Sequence, residues 1–323
     1  MVQTKFTDLA ILSLPLRTKF RQIHTREIAI FKGERWSEFS PFIEYDDREA
    51  AQWLSAALTW ANDPLPKLQR QSIPVNATLP AVAPKEIEGV LAGFGSFNSV
   101  KVKVAEKGTT TSDDIARIKE VAKLYPNARI RLDANGGFDV ATALELVRML
   151  AEFNLEYFEQ PVATIPELKQ LRQALVHDGI KLKIAADESI RKATDPLLVA
   201  KEGAADIAVI KVQPLGGIQN ALKIAKDSGL EIVVSSALES SVGLSHGLYL
   251  AGAIEDLKYD CGLATAALLE ADVTNTPLLA VDGQIQIRTV EPNEELLERF
   301  AAPQDRRDWW LQRIERCLDL LES

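Results

Sequence analysis

The sequence predicts an α/β protein built around a parallel (β/α)8-type barrel, and three observations lead to this fold class. Short apolar segments typical of strands end in a carboxylate and recur about 27 residues apart, at Asp133, Glu159 and Asp187. Strand-like segments alternate with helical ones throughout the middle of the chain. Before and after that region the strands are short, which indicates a second, smaller unit.

The composition sets limits on the partners and the compartment of the chain. It has 323 residues, of which 46% are hydrophobic and 26% charged, as in an ordinary globular enzyme. The net charge of −9 argues against nucleic acid or an anionic membrane as a partner. No run approaches the roughly 20 apolar residues of a membrane helix. Cys261 and Cys317 cannot form a disulfide framework, and Lys5 and Asp8 interrupt the first apolar stretch, so we expect a cytoplasmic protein.

The N-terminal segments predict the smaller unit. They suggest an antiparallel meander followed by a helix, over residues 7–14, 27–32, 36–40 and 47–60. Gly33-Glu34-Arg35 is expected to be a hairpin turn between the last two strands. Residues 15–25 show no clear period, and two interpretations stay open. The segment is either a surface loop or a lid whose Lys19 and Arg21 cover an anionic substrate.

The barrel strands follow in order. They are predicted over residues 73–79, 100–104, 130–133, 155–159, 182–187, 205–211 and 231–236, with a weak eighth over 259–262. A helix over 112–124 is expected to be capped by Ser112 and Asp113. A polar amphipathic helix over 305–321 should pack back on the meander. The predicted divisions are residues 1–70, 71–274 and 275–323.

The three strand-end carboxylates predict a metal site. Neighbouring strands of a parallel barrel end on one rim, so Asp133, Glu159 and Asp187 should converge. One such acid alone is more simply explained as a helix N-cap or a loop salt bridge, but three together repel one another unless a cation lies among them. Oxygen ligands without nearby Cys or His favour Mg²⁺, with Mn²⁺ as a substitute. None of the three histidines ends a predicted barrel strand: His24, His177 and His246.

Three lysines supply the expected acid–base groups. Lys101 and Lys103 stand two apart on a strand and therefore share a face. Their like charges should lower the pKa of at least one of them, which would make it a general base. A salt-bridged pair that neutralises the carboxylates is the simpler alternative and is compatible with catalysis. Lys211 ends the sixth strand, so ammonium groups should lie on two sides of a bound substrate, as enediolate chemistry requires.

This pattern resembles a known superfamily. The motif Lys101-x-Lys103 with Asp133, Glu159, Asp187 and Lys211 is similar to the enolase superfamily, in the lysine-dependent branch related to muconate-lactonising enzymes. Two segments, residues 36–45 (Trp36 to Phe42 with Glu44-Tyr45) and 235–243, resemble the o-succinylbenzoate synthase family, dehydratases of the menaquinone pathway. The resemblance covers essentially the whole chain. It implies a modified (β/α)8 barrel with an α+β capping domain built from both chain ends.

The resemblance also implies a role for each residue. The three strand-end carboxylates would bind Mg²⁺. Lys103 would abstract the α-proton of 2-succinyl-6-hydroxy-2,4-cyclohexadiene-1-carboxylate and deliver it to the departing hydroxide, a syn-dehydration to o-succinylbenzoate. Lys211 would stay cationic and stabilise the intermediate. Lys101 would tune Lys103 and contact the substrate carboxylate.

Further residues are expected to bind substrate or support the ligands. The succinyl carboxylate of the small-molecule substrate would meet serines of the seventh-strand segment and a glycine of the eighth: Ser235, Ser236, Ser240, Ser241 and Gly262. Without the resemblance, an ordinary serine-rich turn is the preferred interpretation. Glu188 is expected to support the metal ligands, and Asn135 either does the same or is a polar residue of the rim. The sequence leaves open whether the protein is a monomer or a homo-oligomer.

Two other functions compete with the dehydratase. An N-acylamino acid (N-succinylamino acid) or dipeptide racemase would use Lys103 and Lys211 as opposing bases, because it shares the same enediolate. The segment from Trp36 to Phe42 favours the dehydratase. A barrel that binds metal without catalysis is the third hypothesis, and the presence of every ligand and lysine argues against it.

Overall fold

The computed structural model describes residues 6–322, so the first five residues of the predicted 1–70 segment, Lys5 among them, and the last of 275–323 lie outside the described residues. The strands are β1 Thr7–Phe20, β2 Ile23–Lys32, β3 Trp36–Phe39, β4 Ser72–Pro74, β5 Ala77–Leu79, β6 Ser99–Lys103, β7 Arg129–Asp133, β8 Leu155–Glu159, β9 Lys183–Ala186, β10 Ile207–Ile210, β11 Glu231–Val234 and β12 Gln284–Gln286. The α-helices are α1 Asp47–Asn62, α2 Ile87–Ala92, α3 Thr111–Leu124, α4 Val140–Met149, α5 Ile165–His177, α6 Glu188–Arg191, α7 Leu198–Lys201, α8 Ile218–Ser228, α9 Ser241–Ala253, α10 Glu294–Arg299 and α11 Gln304–Glu322.

Seven parallel strands, β5 to β11, form the barrel sheet in chain order, which confirms the predicted fold class. The predicted eighth strand is wrong as a strand, but its residues close the barrel through single bridges, from Cys261 to Val75 and from Gly262 to Ser235. The continuous first strand over 73–79 is also wrong. It divides at Val75-Asn76, where β4 leaves to pair antiparallel with β12.

The two faces of β6 differ as predicted. The side chains of Lys101 and Lys103 point into the barrel, where they reach carboxylates of β7 and β8. Val100, Val102 and Val104 are buried in the core between the sheet and the helices. This alternation places the two lysines on the inner face of the barrel, since a shift by one residue would exchange the lysines for valines.

The cap contains a longer hairpin than the sequence suggested. Residues 15–25 are the far end of the β1–β2 hairpin, so the surface-loop interpretation is wrong, and the lid interpretation stays a prediction. The turn lies at Arg21 and Gln22, which both have positive φ, 47° and 65°. Such a two-residue turn is normally marked by Gly or Asn, and this chain has neither there. The turn predicted at Gly33-Glu34-Arg35 is confirmed between β2 and β3.

The C-terminal helix α11 packs on the N-terminal elements. Trp310 meets Phe39 edge to face, with ring centroids 5.7 Å apart, and donates to Glu27 at 2.9 Å. Arg313 donates to two backbone carbonyls of the segment just before α1, those of Phe42 and Tyr45. These contacts join the two chain ends into one layer above the barrel. Helix α11 begins one residue earlier than predicted and ends one later.

Two smaller findings complete the fold. The cap of α3 is Thr110, which accepts from the backbone N–H of Asp113. The prediction of Ser112 as a cap is therefore wrong, because the helix begins before it. In the part of the chain that the structure describes, no helix is both long and apolar enough to cross a membrane.

Candidate active site

Three buried carboxylates lie at the ends of adjacent barrel strands. Parallel register places Asp133 beside Lys103 on one side and beside Glu159 on the other. Asp187 follows β9 and begins the short helix α6. Each of these three side chains is about 1% exposed. The strand-end pattern thus gathers charge where water cannot stabilise it, so oppositely charged partners are needed.

Three lysines provide those partners. Lys103 Nζ lies 2.5 Å from Asp133 Oδ2 and 2.8 Å from Asn135 Oδ1. Lys101 Nζ lies 3.2 Å from Glu159 Oε1 and 3.4 Å from Asp133 Oδ2, so one ammonium group bridges two strands. Lys211 Nζ, from the other side, lies 2.6 Å from Asp187 Oδ2.

The electrostatics differ from the expectation for Lys101. Burial alone would lower the pKa of Lys101, but the charges of Glu159 and Asp133 outweigh it and raise that pKa above its ordinary value. Burial would raise the pKa of Asp133, but Lys103 and Lys101 bring it below its ordinary value. Burial and the nearby Asp133 raise the pKa of Glu159 to about 7. The carboxylates therefore outweigh the neighbouring ammonium group in their effect on the pKa of Lys101.

The donor set is suited to a hard cation. Among residues 6–322 no three His, Cys, Asp or Glu side chains are grouped closely enough to hold a metal ion, since lysine ammonium groups stand between the carboxylates. Asp187 Oδ1 is buried without a hydrogen-bond partner, with Arg191 Nε 3.3 Å away. An unsatisfied buried carboxylate oxygen beside two further carboxylates fits a group such as Mg²⁺, which prefers oxygen ligands.

A cavity of about 550 Å³, including its open mouth, lies over these residues. Cap and barrel both contribute to it: its lining consists of Phe20, Arg21, Phe42, Tyr45, Trp53, Thr78, Lys101, Lys103, Asp133, Asn135, Asp187, Arg191, Lys211, Pro214, Ser235, Ser236, Ala237, Leu238, Gly262 and Thr265. Glu159 lies beneath the surface of the cavity. The mixture of cations and aromatic rings suits a ring-containing carboxylate.

The structure places some of the predicted substrate-binding residues in the cavity lining and others outside it. The cavity lining includes four of them: Arg21, Ser235, Ser236 and Gly262. Ser240 and Ser241 lie outside it, because the first donates to Glu38 and the second to Asp272. Lys19 lines a neighbouring, smaller cavity near Pro80.

The positions of Asn135, Glu188 and Gly262 relative to the cavity also follow from their contacts. Asn135 lines the cavity and joins Lys103 to Glu188, accepting from one and donating to the other at 3.2 Å. Glu188 itself lies off the cavity and pairs with Arg191 at 2.7 Å. A Cβ at Gly262 would lie 2.5 Å from Ser235 Oγ, so the absent side chain permits close packing of the two segments.

The sequence did not single out Arg191, Tyr45 or Thr265 for a role in the site. Arg191 contacts Asp187, Glu188 and Glu49, and its position four residues after Asp187 on a helical turn is a usable signal. The Tyr45 hydroxyl accepts from Arg21 at 3.0 Å. Thr265 Oγ1 lies 2.8 Å from Ser236 Oγ, a contact between segments distant in sequence, and no local pattern predicts it.

Two further titratable side chains, His246 and Cys261, are buried outside the cavity. His246 is buried against Trp60, with ring centroids 4.5 Å apart, and burial lowers its pKa to about 3. Burial raises the pKa of the Cys261 thiol to about 12, so this thiol is inert packing. Neither residue belongs to the cavity lining.

Comparison with known proteins places this geometry in a class. The family model "Enolase N-terminal domain-like" matches residues 11–61, and "Enolase C-terminal domain-like" matches residues 84–292. Together with the barrel rim, these matches define an enzyme of the enolase type. The chain is 45% identical to the o-succinylbenzoate synthase of Mycobacterium tuberculosis strain H37Rv over 97% of its length and 94% of that protein's. It is 48% identical to that of Thermobifida fusca over 88% and 89%. The chain belongs to the o-succinylbenzoate synthase family.

Solved structures of lower identity share the fold. A muconate lactonizing enzyme from Pseudomonas fluorescens, complexed with muconolactone, has a TM-score of 0.78 at 19% identity, covering 92% of this chain and 99% of that one. An N-succinyl Arg/Lys racemase from Bacillus cereus has a TM-score of 0.76 at 20% identity, covering 91% and 97%. At these identities the likeness concerns the fold alone.

Proposed function

We propose that this enzyme is a lyase that dehydrates 2-succinyl-6-hydroxy-2,4-cyclohexadiene-1-carboxylate to o-succinylbenzoate and water in menaquinone biosynthesis, with Mg²⁺ as cofactor. The observation that carries the proposal is the pairing of three cavity lysines with carboxylates at three adjacent strand ends. Relatives that share about half of their residues with this chain over most of its length support the choice of reaction.

Asp133, Glu159 and Asp187 are the proposed holders of the Mg²⁺ ion. When bound, the ion would supply positive charge to the substrate carboxylate and so favour loss of the α-proton. Support comes from Asp187 Oδ1, which is buried without a hydrogen-bond partner, and from the cavity lining, which contains neither Cys nor His among the described residues. Mn²⁺, which also accepts oxygen ligands, is the proposed substitute.

Lys103 is the proposed base. It must first be neutral and released from its hydrogen bonds to Asp133 and Asn135. Its Nζ then takes the proton from the carbon that bears the carboxylate, and the electron pair of that bond moves into the carboxylate to give an enediolate. When the pair returns, the C–O bond to the ring hydroxyl breaks, and Lys103 gives its proton to the departing hydroxide as water. One residue on one face of the ring thus serves both steps, and aromatisation drives the second.

Lys211 and Lys101 are proposed to act as charges. Lys211, on the other side of the cavity, stays protonated and stabilises the negative charge of the enediolate. Lys101, whose Nζ lies between Glu159 and Asp133, is proposed to stay cationic as well. It is therefore placed to contact the substrate carboxylate.

The surroundings of the reaction are part of the proposal. Arg21, Ser235, Ser236 and Gly262 are proposed to hold the succinyl end, and the hairpin tip at Arg21 to act as a lid. We propose a cytoplasmic enzyme whose partner is a small carboxylate, with neither nucleic acid nor membrane as partner. We also propose that residues 1–70 and 275–323 form the cap over a barrel of residues 71–274.

An absorbance assay tests the proposed reaction. Purified protein is mixed with the cyclohexadiene carboxylate in Mg²⁺, then in EDTA, then in EDTA followed by excess Mg²⁺ or Mn²⁺. We expect aromatisation that stops in EDTA and returns with either ion. Absence of turnover in Mg²⁺ would contradict the proposed reaction.

A racemase is the second candidate, because Lys103 and Lys211 both line one cavity and could face opposite sides of a carbon. Deuterium exchange at the α-carbon of N-succinyl amino acids tests it. Exchange without dehydratase turnover would replace the first function with this one. Both activities together would mean that the pocket accepts either substrate.

A further inference from the structure

We propose that Arg26 and Glu38, two buried residues of the cap strands, are positioning residues that set the shape of the cavity wall formed by residues 235–238. This inference rests on the proposed function, because the wall is assigned to bind the non-reacting end of that substrate. Neither Arg26 nor Glu38 belongs to the cavity lining, so they act through the wall.

The wall holds an unfavourable backbone conformation. All four of its residues line the cavity. Leu238 has a φ of +65° although it is not glycine, and its side chain is 1% exposed. A bulky residue rarely adopts this conformation, and it persists only where the surroundings hold it. The question is therefore which groups hold the wall, and the barrel supplies only part of the answer.

Arg26, on β2, holds the carbonyl side of the wall. Its Nε donates to the Leu238 carbonyl at 3.1 Å, and its Nη2 is 3.4 Å from the Ala237 carbonyl. The same Nη2 donates to the Ser40 carbonyl of the cap. Its guanidinium also lies 4.2 Å from the ring centroid of Phe42, which lines the cavity. One guanidinium thus joins the cap to two consecutive peptide groups of the wall.

Glu38, on β3, holds the end of the wall and the helix that follows. Its Oε2 accepts from the N–H and Oγ of Ser240, at 3.1 and 2.5 Å, and from the N–H of Gly243 at 3.2 Å. Its Oε1 accepts from Ser40 Oγ at 2.6 Å. A Cβ at Gly243 would lie 2.8 Å from Glu38 Cδ. The first turn of α9 is therefore shaped to receive this side chain.

We call the contacts of Arg26 and Glu38 with the wall and with the first turn of α9 the lock. Two further residues extend it, and one of them follows β10. Glu239 accepts from the Ala237 N–H at 2.6 Å, so the wall is held on its donor side as well. Gln213, two residues after Lys211, accepts from the Ser40 N–H at 3.2 Å. The sequence analysis named the segment from Trp36 to Phe42 only as a resemblance. Its contacts give it a physical role, because it joins the cap to the wall and to the segment that follows β10.

The wall lies away from the proposed base. The proposed base and two of the proposed metal ligands belong to the second, third and fourth barrel strands, whereas the wall follows the seventh. Loosening the wall should therefore weaken substrate binding more than it slows the chemical step. Loss of binding that is equal in ground state and transition state appears in KM and leaves kcat unchanged.

The test uses Arg26→Lys, Glu38→Gln and Gly243→Ala, which disturb the same lock from the cap and from the barrel. Glu27→Gln is the matched control, because Glu27 is the next residue on β2 but its side chain bonds to Arg306 and Trp310 of α11. For each protein we measure KM and kcat with the cyclohexadiene carboxylate, the Kd of o-succinylbenzoate, the Kd of Mg²⁺ by calorimetry, and Tm.

We expect the three lock variants to raise KM and the product Kd about tenfold, with kcat within about threefold of wild type. Their Mg²⁺ Kd should stay within about twofold, because the metal ligands do not touch the lock. The control should lower Tm without changing KM. The inference is overturned if the lock variants change KM no more than the control, or if kcat and Mg²⁺ binding fall in parallel with Tm. Absence of wild-type turnover would instead overturn the proposed function on which it rests.

Discussion

Replacement of Lys103 by alanine separates its chemical role from its structural one. As the only proposed base of the dehydration, it should be worth at least about 10³-fold in kcat, since a positioned general base contributes 10²–10⁴-fold. Its ammonium group is also the closest partner of the buried Asp133, at 2.5 Å. The same substitution should therefore affect folding in the absence of metal.

The size of the folding effect can be worked out from the contacts of Asp133. Removing one partner of a buried ion pair costs about 3–5 kcal/mol when the other charge is left alone. Here Asp133 keeps Lys101 at 3.4 Å and the Asn135 N–H at 3.2 Å. We therefore expect the free energy of unfolding to fall by about 2 kcal/mol in EDTA. The proposed Mg²⁺ would bind the folded state and should stabilise the variant more than the wild type, because the Lys103 ammonium group no longer competes for Asp133.

Urea unfolding followed by circular dichroism, with EDTA and with Mg²⁺, measures these differences beside the absorbance assay. Residual turnover above about a tenth of wild type would refute the role of Lys103 as the base. A variant as stable as wild type in EDTA would instead show that the short contact to Asp133 carries no net stability. Lys103→Met, which keeps the apolar stem, controls for the loss of packing.

Two other substitutions test the surroundings of the cavity. Burial and Glu239 raise the pKa of Glu38 to about 8, so the folded state keeps a proton that the unfolded state releases above about pH 4.5. The free energy of unfolding should therefore fall as pH rises from about 4.5 to 8. Urea unfolding at several pH values should show a weaker pH dependence for Glu38→Gln than for wild type, and an equal pH dependence would contradict this prediction. Gly262→Ala should lower the free energy of unfolding by about 1–3 kcal/mol, because the new Cβ overpacks against Ser235 Oγ. Gly89→Ala is the control and should not lower Tm, because its Cβ would meet nothing within 4 Å. Equal Tm values for the two variants would contradict this prediction.

The gathering of lysines and carboxylates at the barrel rim could be predicted because its signals are local. A strand that ends in a carboxylate, as at Asp133 and Glu159, is visible within seven or eight residues, and the repeat of that pattern implies adjacency on a barrel. The two lysines of β6 could be placed on one face by their spacing alone. Where chemistry and periodicity coincide in a short segment, the sequence is sufficient.

The features that sequence did not reveal depend on contacts between distant segments or on weak turn signals. The Arg21-Gln22 turn carries two positive φ values without Gly or Asn, so the hairpin end resembled a loop. Ser240 looked like a substrate ligand, but its hydroxyl is taken by Glu38, 202 residues earlier in the chain. Only the assembled cap and barrel determine which polar group faces the cavity and which faces another part of the protein.

The groups that select the substrate are expected to differ from those that remove the α-proton. Dehydration and racemisation begin with the same loss of an α-proton, so the roles proposed for Lys103, Lys211 and the carboxylates would serve both. Selection between substrates must then come from groups that contact the rest of the ligand, and the wall at residues 235–238 is the part of the cavity whose backbone is held from the cap. Because Arg26 and Glu38 hold that wall without touching the cavity, a change in either could alter the accepted substrate while the catalytic groups stay in place. Substitutions that redirect this enzyme should therefore be found in the cap strands as readily as in the barrel rim.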